Sequence, residues 1–307
     1  MNARRFEPRR ELGRTGFVAT QLGAGDLADS SLPFDSCVAT LTRALDAGVN
    51  VVDTAPSYEE GLSERIVGAA LANRRDGVFL IDKVDHFDRP VAEQIEGSLG
   101  RLGGLCPDLF VFHGVSTLEA WRMLSAPGGR FDELASAVAA KQTRFRGISC
   151  HHPEVLREAM PSGLCDVVMF PVGAFVDERY VVEMLPLAKK YGVGTVCFKT
   201  FGAGKLLGDT AGYGQPLAAR PRGKLSSGGE DRSDESALPR LSVTECVNYT
   251  LTCDPDVALL GLSFPNEQDA AFAAAEAFTP LSATERASLR ERATVAMQHK
   301  GAVWWNP

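Results

Sequence analysis

The sequence predicts an α/β protein with a (β/α)8 architecture, the TIM barrel. Eight short apolar runs rich in β-branched residues recur along the chain, and nearly each is followed by a segment with helical spacing. Such alternation is typical of parallel strands with helices packed outside them. Eight strand–helix units spread over roughly 250 residues match a closed barrel better than an open sheet.

The eight runs follow one another at intervals that leave room for a helix between strands. In chain order they are residues 18–25, 49–53, 78–84, 108–114, 145–150, 167–172, 194–200 and 257–263. Helical spacing is clearest in the segments 35–47, 61–73, 90–101, 179–191 and 242–252. No internal repeat or linker separates these units, so residues 1–307 are predicted to form a single domain.

Three segments are expected to lie outside the strands and helices. The residues ahead of the first run carry turn signals at Gly13 and Gly16, and we expect a β-hairpin there that caps the bottom of the barrel. Residues 203–240, after the seventh run, are rich in Gly, Ser, Pro and charged residues, which predicts a long loop that is either a lid or disordered. Residues 114–130 are expected to form another loop at the mouth of the barrel, where active sites of this architecture lie.

Composition and charge exclude several classes of protein. The net charge is −7, from 32 basic and 39 acidic residues, whereas nucleic-acid binding requires a basic surface. No apolar stretch approaches the roughly eighteen residues of a membrane span, and the N-terminus lacks the apolar segment of a secretory signal. The 7 cysteines are scattered without a C-x-x-C pair, which predicts reduced thiols, a cytoplasmic protein and no zinc site. The adjacent His151 and His152 are poorly placed to share a metal ion.

Polar side chains stand at the ends of several predicted strands. Asp53 ends the second run, with Tyr58 in the loop that follows, Lys83 lies near the end of the third run and His113 near the end of the fourth. Each alone has an ordinary explanation: a turn cap for Asp53, loop packing for Tyr58, a core imidazole for His113. Lys83 is different, because an unpaired ammonium inside the apolar run FLIDKV would be costly, and Asp53 is a suitable partner. Their convergence on one rim favours a functional site.

This set of groups suits the protonation of a carbonyl oxygen. A phenol has an ordinary pKa of about 10, so it is a weak acid at neutral pH. A nearby ammonium is expected to lower that pKa, a carboxylate to orient the ammonium, and a histidine to align the substrate oxygen. Such general acid catalysis would accompany the transfer of a hydride, and the hydride must come from a cofactor.

The chain resembles the aldo-keto reductase family over nearly its whole length, and five of its segments carry the resemblance. They are ELGRTGFVATQLGAG, GVNVVDTAPSYEEGLSERIVGAAL, LIDKV, DLFVFHG and VCFKTFGAGKLLG, of which the second is very close to the family's most diagnostic signature. The resemblance implies a catalytic tetrad of Asp53, Tyr58, Lys83 and His113, with Tyr58 as the general acid. It also implies NADP(H), less often NAD(H), as cofactor.

The resemblance also implies a set of cofactor-binding residues. They are Ser149 for the carboxamide, Phe198 for stacking on the nicotinamide ring, Lys199, Thr200, Phe201 and Gly202 for the pyrophosphate, and Gly261, Ser263 and Glu267 near the adenosine phosphate. Several positions depart from the family pattern. Cys150 and Met169 replace an Asn and a Gln that contact the carboxamide, and Glu267, Ala270 and Ala271 replace residues that hold a 2′-phosphate. Because Glu267 would repel that phosphate, we expect a weakened preference for NADP(H), extending to a preference for NAD(H).

Three functions are compatible with these motifs. The first is NAD(P)H-dependent reduction of an aldehyde or ketone, or oxidation of an alcohol or sugar, acting on a small molecule. The second is a nucleotide-binding regulatory or sensor scaffold with little turnover, and the third is a dehydratase or isomerase on the same barrel. A dinucleotide fingerprint is also matched in outline by GAGDLA at 23–28, but the helical pattern starts only near residue 35, so Gly23 and Gly25 are interpreted as keeping the barrel mouth open.

Overall fold

Eight parallel strands form a closed barrel, as the sequence predicts. The structure is a computed structural model that describes residues 6–207, 239–261, 265–298, 303, 305 and 306. The barrel strands are β3 (Leu22–Ala24), β4 (Val51–Asp53), β5 (Phe79–Val84), β6 (Leu109–Phe112), β7 (Phe145–Ser149), β8 (Val167–Pro171), β9 (Gly194–Phe198) and β10 (Val257–Leu260). They are arranged in chain order, and β10 closes the barrel by pairing with both β9 and β3. All their C-terminal ends therefore meet at one rim.

Helices cover the outside of the barrel. Those in the described residues are α1 (Phe34–Asp46), α2 (Leu62–Leu71), α3 (Val91–Arg101), α4 (Leu118–Ser125), α5 (Arg130–Ala139), α6 (Pro153–Ala159), α7 (Leu185–Tyr191), α8 (Val243–Thr252), α9 (Pro265–Glu276) and α10 (Ala283–Met297). Helices α8 and α10 each begin with a capping box, formed by Ser242 with Glu245 and by Ser282 with Glu285. The segments predicted to be helical are confirmed with small shifts of their ends, except that the segment 179–191 begins as a π-helix, Tyr180–Met184, which leads into α7.

The prediction of a loop over residues 114–130 is wrong, because α4 lies within it. The side chain of Thr117 caps this helix by accepting a hydrogen bond from the backbone N–H of Ala120, and Trp121 and Leu124 on one face are buried. Two anchoring side chains over so short a segment gave too weak a periodic signal in the sequence.

The predicted N-terminal hairpin is present and closes the bottom of the barrel. Its strands are β1 (Arg10–Glu11) and β2 (Val18–Ala19), which pair antiparallel. The buried side chain of Leu12 packs against Gly194 at the start of β9. At Gly13, where φ is +50°, a Cβ atom would lie 2.1 Å from the backbone nitrogen of Gly194, so the close approach requires glycine.

The run predicted as one strand over residues 18–25 is divided between two elements. Its first residues belong to β2 of the hairpin and its later ones to β3 of the barrel. The chain turns at Thr20, whose backbone N–H donates to the side chain of Asn50 at 2.7 Å. A side-chain acceptor here replaces the backbone acceptor that a continuous strand would need.

Apolar side chains fill the barrel below the rim. The inner cluster includes Val51, Phe79, Ile81, Leu109, Val111, Val167, Met169, Val196, Val257 and Leu259. Side chains alternate along each strand, so Asp53 and Lys83 occupy the next inward positions above Val51 and Ile81. The polar chemistry of the interior is therefore confined to the C-terminal end.

Candidate active site

The centre of the site is a buried ion pair between Lys83 and Asp53. The Nζ atom of Lys83 lies 2.6 Å from Oδ1 of Asp53, and it donates a second hydrogen bond to the backbone carbonyl of Thr54 at 2.7 Å. The two side chains are only 1% and 3% exposed. An isolated charge at this depth would be strongly unfavourable, so each group depends on the other. The sequence prediction of this pairing is confirmed.

Burial and the ion pair act in opposite directions on these two groups. Burial raises the pKa of the Asp53 carboxyl, and the Lys83 ammonium opposes that rise. For Lys83, burial would lower the pKa, but the charges of Asp53 and Tyr58 and hydrogen bonds to both outweigh it and raise the pKa above its ordinary value. Lys83 therefore remains an ammonium across the physiological pH range.

Tyr58 lies beside this ion pair in a short 3₁₀ turn, Tyr58–Gly61, between β4 and α2. The Nζ atom of Lys83 is 4.5 Å from the centroid of its ring. The next two residues, Glu59 and Glu60, have left-handed backbones with φ of 48° and 54°, which is unfavourable for residues other than glycine. Backbone strain of this kind concentrates at functional sites, and here it lies in the turn that carries Tyr58.

Two opposing effects act on the pKa of Tyr58, and Lys83 causes only one of them. Burial raises the pKa of Tyr58 above its ordinary value of 10.0, and the Lys83 charge lowers it by a smaller amount. The lysine acts in the predicted direction, but the prediction of a net lowering is wrong, because desolvation of the phenolate is the larger effect. Tyr58 is thus a protonated phenol, and the ammonium beside it would stabilise the anion left after proton loss.

His113 faces Tyr58 and is held by a residue that the sequence analysis missed. Its ring meets the Tyr58 ring edge-on, with centroids 5.7 Å apart at 86°. Its Nδ1 atom is hydrogen-bonded to the carboxylate of Asp85, which also accepts from the backbone N–H of Ser57 at 2.7 Å. With Nδ1 engaged, Nε2 is the nitrogen left to contact a ligand.

The electrostatics of Asp85 agree with this role. Burial would raise the pKa of Asp85, but the hydrogen bond and charge of His113 lower it to about 2. Asp85 lies two residues after Lys83, one beyond the end of β5. Its proximity in sequence to Lys83 was a signal for its place at the rim, but its partner, His113, is set by the barrel and not by spacing along the chain.

Ser149, the last residue of β7, lies at the rim as predicted, and its neighbours differ from the family pattern. Ser149 pairs with Met169 of β8 in the parallel register, and the Met169 side chain is buried in the inner apolar cluster. Cys150 is buried, and its Sγ atom donates to the carbonyl of His152 at 3.2 Å. Burial raises the pKa of this thiol to about 12, so Cys150 is a packing residue and not a reactive thiolate.

His151 also lies at the site, a role that the sequence analysis did not assign to it. Its ring centroid lies 5.1 Å from that of Phe198, the residue predicted to stack on a nicotinamide. Burial lowers the pKa of His151 well below its ordinary value, and the charges of Lys199 and His113 act in the same direction. Its neutral imidazole can both donate and accept a hydrogen bond at the mouth. In the described residues, no group of three or more His, Cys, Asp or Glu side chains is arranged to hold a metal ion.

The segment after β9 has the features of an anion-binding cradle. Lys199, Gly202, Ala203 and Gly204 all have positive φ, between 55° and 82°, and such backbones form concave surfaces lined by N–H groups. The Oγ1 atom of Thr200 is buried and has no hydrogen-bond partner in the described part of the chain. The side chain of Phe201 packs into the core, so any contact it makes with a ligand is through its backbone. These residues fit the pyrophosphate of a dinucleotide.

Two ammonium groups of this segment lie over the ring of one tryptophan. The Nζ atoms of Lys199 and Lys205 lie 5.2 Å and 5.6 Å from the ring centroid of the buried Trp305. Lys205 begins a 3₁₀ turn, Lys205–Leu207, at the start of the predicted loop 203–240, of which residues 208–238 lie outside the described residues.

At the predicted adenosine-phosphate site, the structure places Gly261 directly after β10 and Glu267 in the first turn of α9. The Glu267 side chain is largely buried, at 3% exposure of the residue. Ser263 lies outside the described residues. Ala271 is buried against the core, and its methyl side chain has no group that could bind a phosphate.

Comparisons with known proteins agree with this arrangement. A model of the Aldo/keto reductase family matches residues 20–263. The chain is 26% identical over 275 residues to "Uncharacterized oxidoreductase YqkF" of Bacillus subtilis, covering 81% of this chain and 84% of the relative. It is 24% identical over 219 residues to "NADH-specific methylglyoxal reductase" of Escherichia coli, covering 64% and 66%.

The fold of a solved protein is also closely similar. The holo form of the aldo-keto reductase AKR11C1 from Bacillus halodurans superimposes with a TM-score of 0.70 at 25% identity, covering 95% of this chain and 99% of that structure. The resemblance drawn from the sequence motifs is confirmed, and so is the barrel that it implied. No helix in the described residues is long and apolar enough to cross a membrane.

Proposed function

Because the chain belongs to the aldo/keto reductase family, we propose that it is an NAD(P)H-dependent oxidoreductase that reduces an aldehyde or ketone to an alcohol, or catalyses the reverse oxidation of an alcohol or sugar. The observation that carries the proposal is the ion pair of Lys83 and Asp53 beside the Tyr58 ring, with Nζ 4.5 Å from the ring centroid. A buried ammonium held next to a phenol is a device for stabilising a phenolate.

The residues of this site would divide the reaction as follows. When bound, the nicotinamide supplies or accepts the hydride at the substrate carbon. Tyr58 gives its proton to the carbonyl oxygen as negative charge develops there, and Lys83 stabilises the phenolate that remains. Asp53 keeps Lys83 in place through the 2.6 Å contact. His113, oriented by Asp85 through Nδ1, uses Nε2 to align the carbonyl oxygen.

Several residues fit the cofactor. The left-handed backbones of Lys199, Gly202, Ala203 and Gly204, together with the Thr200 hydroxyl, would hold the pyrophosphate. Phe198 would stack on the nicotinamide ring and Ser149 would bind its carboxamide. Near the adenosine end, Gly261, Ser263 and Glu267 would form the binding loop, with Glu267 favouring NAD(H) over NADP(H). The E. coli relative is named as NADH-specific, which supports this preference.

The test is steady-state oxidation of NADH and NADPH against a panel of aldehydes and ketones, for the wild type and Tyr58→Phe. We expect the variant to lose roughly 10²–10⁴-fold in kcat with an unchanged Kd for the nucleotide, because only the proton donor is removed. Thermal melting serves as the control for folding. Full turnover by Tyr58→Phe would contradict the assignment.

The same experiment separates the two other functions. A regulatory scaffold would bind nucleotide without Tyr58-dependent turnover. A dehydratase or isomerase would form product without net consumption of NADH or NADPH. The substitutions at Cys150 and Met169, which remove two expected carboxamide contacts, are the features that favour a scaffold, and the complete tetrad is the feature that favours an enzyme.

A further inference from the structure

Asp26 is a carboxyl group at the barrel mouth that the proposed mechanism does not use. It follows β3 by two residues, and the preceding Gly25 donates its N–H to the carbonyl of Leu260 at 2.8 Å, which keeps the chain on the barrel rim. Ala24 pairs with Val52 in the parallel register. Asp26 is therefore at the level of Thr54, whose carbonyl accepts a hydrogen bond from Lys83.

The side chain of Asp26 is enclosed but incompletely satisfied. The residue is 8% exposed. Its Oδ1 atom accepts from the backbone N–H of Ala28 at 3.0 Å, and the Ser63 hydroxyl adds a weaker interaction. Its Oδ2 atom is buried and has no hydrogen-bond partner within the described part of the chain. A buried carboxyl oxygen without a partner is unfavourable, so one at an active-site mouth points to a donor that arrives with a ligand.

The charge of Asp26 also affects the groups of the proposed reacting centre. The charge of Asp26 acts on Tyr58, Lys83 and Asp53, because it raises the pKa of Tyr58 and interacts with both members of the ion pair. Burial raises the pKa of Asp26 itself to about 7, opposed by the hydrogen bonds of Ala28 and Ser63. Near neutral pH this carboxyl is thus partly ionised, and a donor bound to Oδ2 would favour its charged form.

We propose that Asp26 is a specificity-determining residue that accepts a hydrogen bond from a hydroxyl group of the substrate close to the reacting carbonyl. The inference rests on the proposed function. It assigns to this site a preference for hydroxylated aldehydes or ketones over analogues with the same carbon skeleton and no hydroxyl group. A ligand amine would also satisfy Oδ2, but the Lys83 ammonium at the same rim disfavours a second cation at the mouth.

A second source of the hydroxyl is the ribose of the cofactor, and the experiment distinguishes the two. Steady-state kcat/KM is measured for two matched pairs, glyceraldehyde with propanal and dihydroxyacetone with acetone, using wild type, Asp26→Asn and Asp26→Ala. The Kd of NADH and NADPH is measured for the same proteins without substrate. Asp29→Asn is the matched control, because Asp29 lies in the same segment and its Oδ1 already accepts from the backbone N–H of Ser31 at 2.9 Å.

We expect the ratio of kcat/KM, hydroxylated over unhydroxylated, to fall roughly 10- to 100-fold in Asp26→Ala, the effect of a lost hydrogen bond to a charged group. Asp26→Asn retains the shape of the side chain and an oxygen for Ala28, so it should fold normally and show a smaller fall. The control Asp29→Asn should leave the ratio unchanged, and the nucleotide Kd should stay constant in all variants.

Three results would overturn the inference. Equal losses on both members of a pair would show a general structural effect of Asp26, and a weaker nucleotide Kd with an unchanged ratio would assign the hydroxyl to the ribose. A wild-type preference for propanal and acetone would exclude any recognition of hydroxyl groups by the site. If the wild type reduces no carbonyl on the wider panel, the proposed function fails, and the selectivity inference falls with it for that separate reason.

Discussion

At the scale of single residues, Lys83 shows how an active site can hold a charged group that is unfavourable to bury. An ammonium in the inward position above Ile81 has apolar side chains on its lower side, and its hydrogen bonds go to the carboxylate of Asp53 and to the carbonyl of Thr54. The pair is thus expected to contribute chemistry and not net stability, because an apolar pair of similar size would fill the same space without desolvating charges.

This distinction can be tested by combining substitutions at the two positions. Lys83→Met alone leaves a buried carboxylate, so we expect a loss of about 3–5 kcal/mol in the free energy of unfolding. Adding Asp53→Leu removes that charge and should restore most of the loss in urea unfolding, while activity stays absent in both proteins. Arg122→Met is the control, because it breaks the exposed ion pair of Arg122 and Glu158 and should change the free energy of unfolding little. Recovered activity in the double variant would contradict the role of Lys83.

A second residue-scale prediction concerns Asp85 and acid. Its pKa, about 2 in the folded protein, lies below the ordinary value of 3.8. The contribution of Asp85 to stability is therefore fully present above about pH 4 and is lost as the pH falls toward 2. The shift corresponds to about 2 kcal/mol.

Asp85→Asn should lower the free energy of unfolding at pH 7 by that amount and flatten its pH dependence below pH 4. Because His113 loses its orienting partner, we also expect kcat/KM to fall roughly 10- to 100-fold, the cost typical of a misplaced catalytic group. Urea unfolding as a function of pH, together with kcat/KM at pH 7, measures both effects. Unchanged stability at pH 7 with unchanged kcat/KM would show that the contact with His113 has no such role.

At the scale of elements, the outward face of β5 carries a second acidic site, away from the mouth. Asp82 points opposite to Lys83 and is fully buried, as is Glu64 of α2, which is paired with Arg101 at the end of α3. Oδ1 of Asp82 accepts from the backbone N–H of Lys83 at 2.8 Å, and Oδ2 has no partner within the described residues. Burial, and then the charge of Glu64, raise the pKa of Asp82 well above its ordinary value.

Because the folded pKa of Asp82 exceeds the unfolded one, its ionisation destabilises the fold, and stability is lost as the pH rises above about 4. Asp82→Asn removes the charge and keeps an acceptor for Lys83. We expect it to stabilise the protein at pH 8 by on the order of 1–3 kcal/mol, with a smaller gain at pH 5. Thermal and urea unfolding at both pH values provide the measurement. A variant that is destabilised at pH 8 would show that the ionised carboxylate is a required partner of this packing.

The first turn of α9 determines the expected cofactor preference. Glu267 is buried there, at the helix N-terminus that a 2′-phosphate would approach in the proposed mode of cofactor binding. We expect NADH to bind at least as tightly as NADPH in a fluorescence titration, and Glu267→Gln to improve NADPH binding more than NADH binding. The exposed Glu276→Gln at the other end of α9 is the control. NADPH binding about tenfold or more tighter than NADH in the wild type would contradict this expectation.

At the scale of the whole molecule, the closed barrel and the positions of Asp53, Tyr58, Lys83 and His113 could be predicted from sequence. Parallel strands of a barrel end at one rim, so residues at the ends of apolar runs are brought together whatever their separation along the chain. Asp85 and His151 could not be assigned in this way, because their partners are fixed by packing between neighbouring strands. The split of residues 18–25 was equally hidden, since it depends on the contact of Thr20 with Asn50. A single domain over residues 1–307 stays a prediction.

The hairpin that closes the bottom of the barrel has a consequence for how ligands reach and leave the site. Leu12 packs against Gly194 and apolar side chains fill the interior, so the described residues close the barrel at its N-terminal end. In the proposed reaction, nucleotide and carbonyl compound would then share the C-terminal opening of the barrel, and the one that lies deeper would bind first and leave last. The closed end of the barrel would thereby set the order of binding and release at its open end.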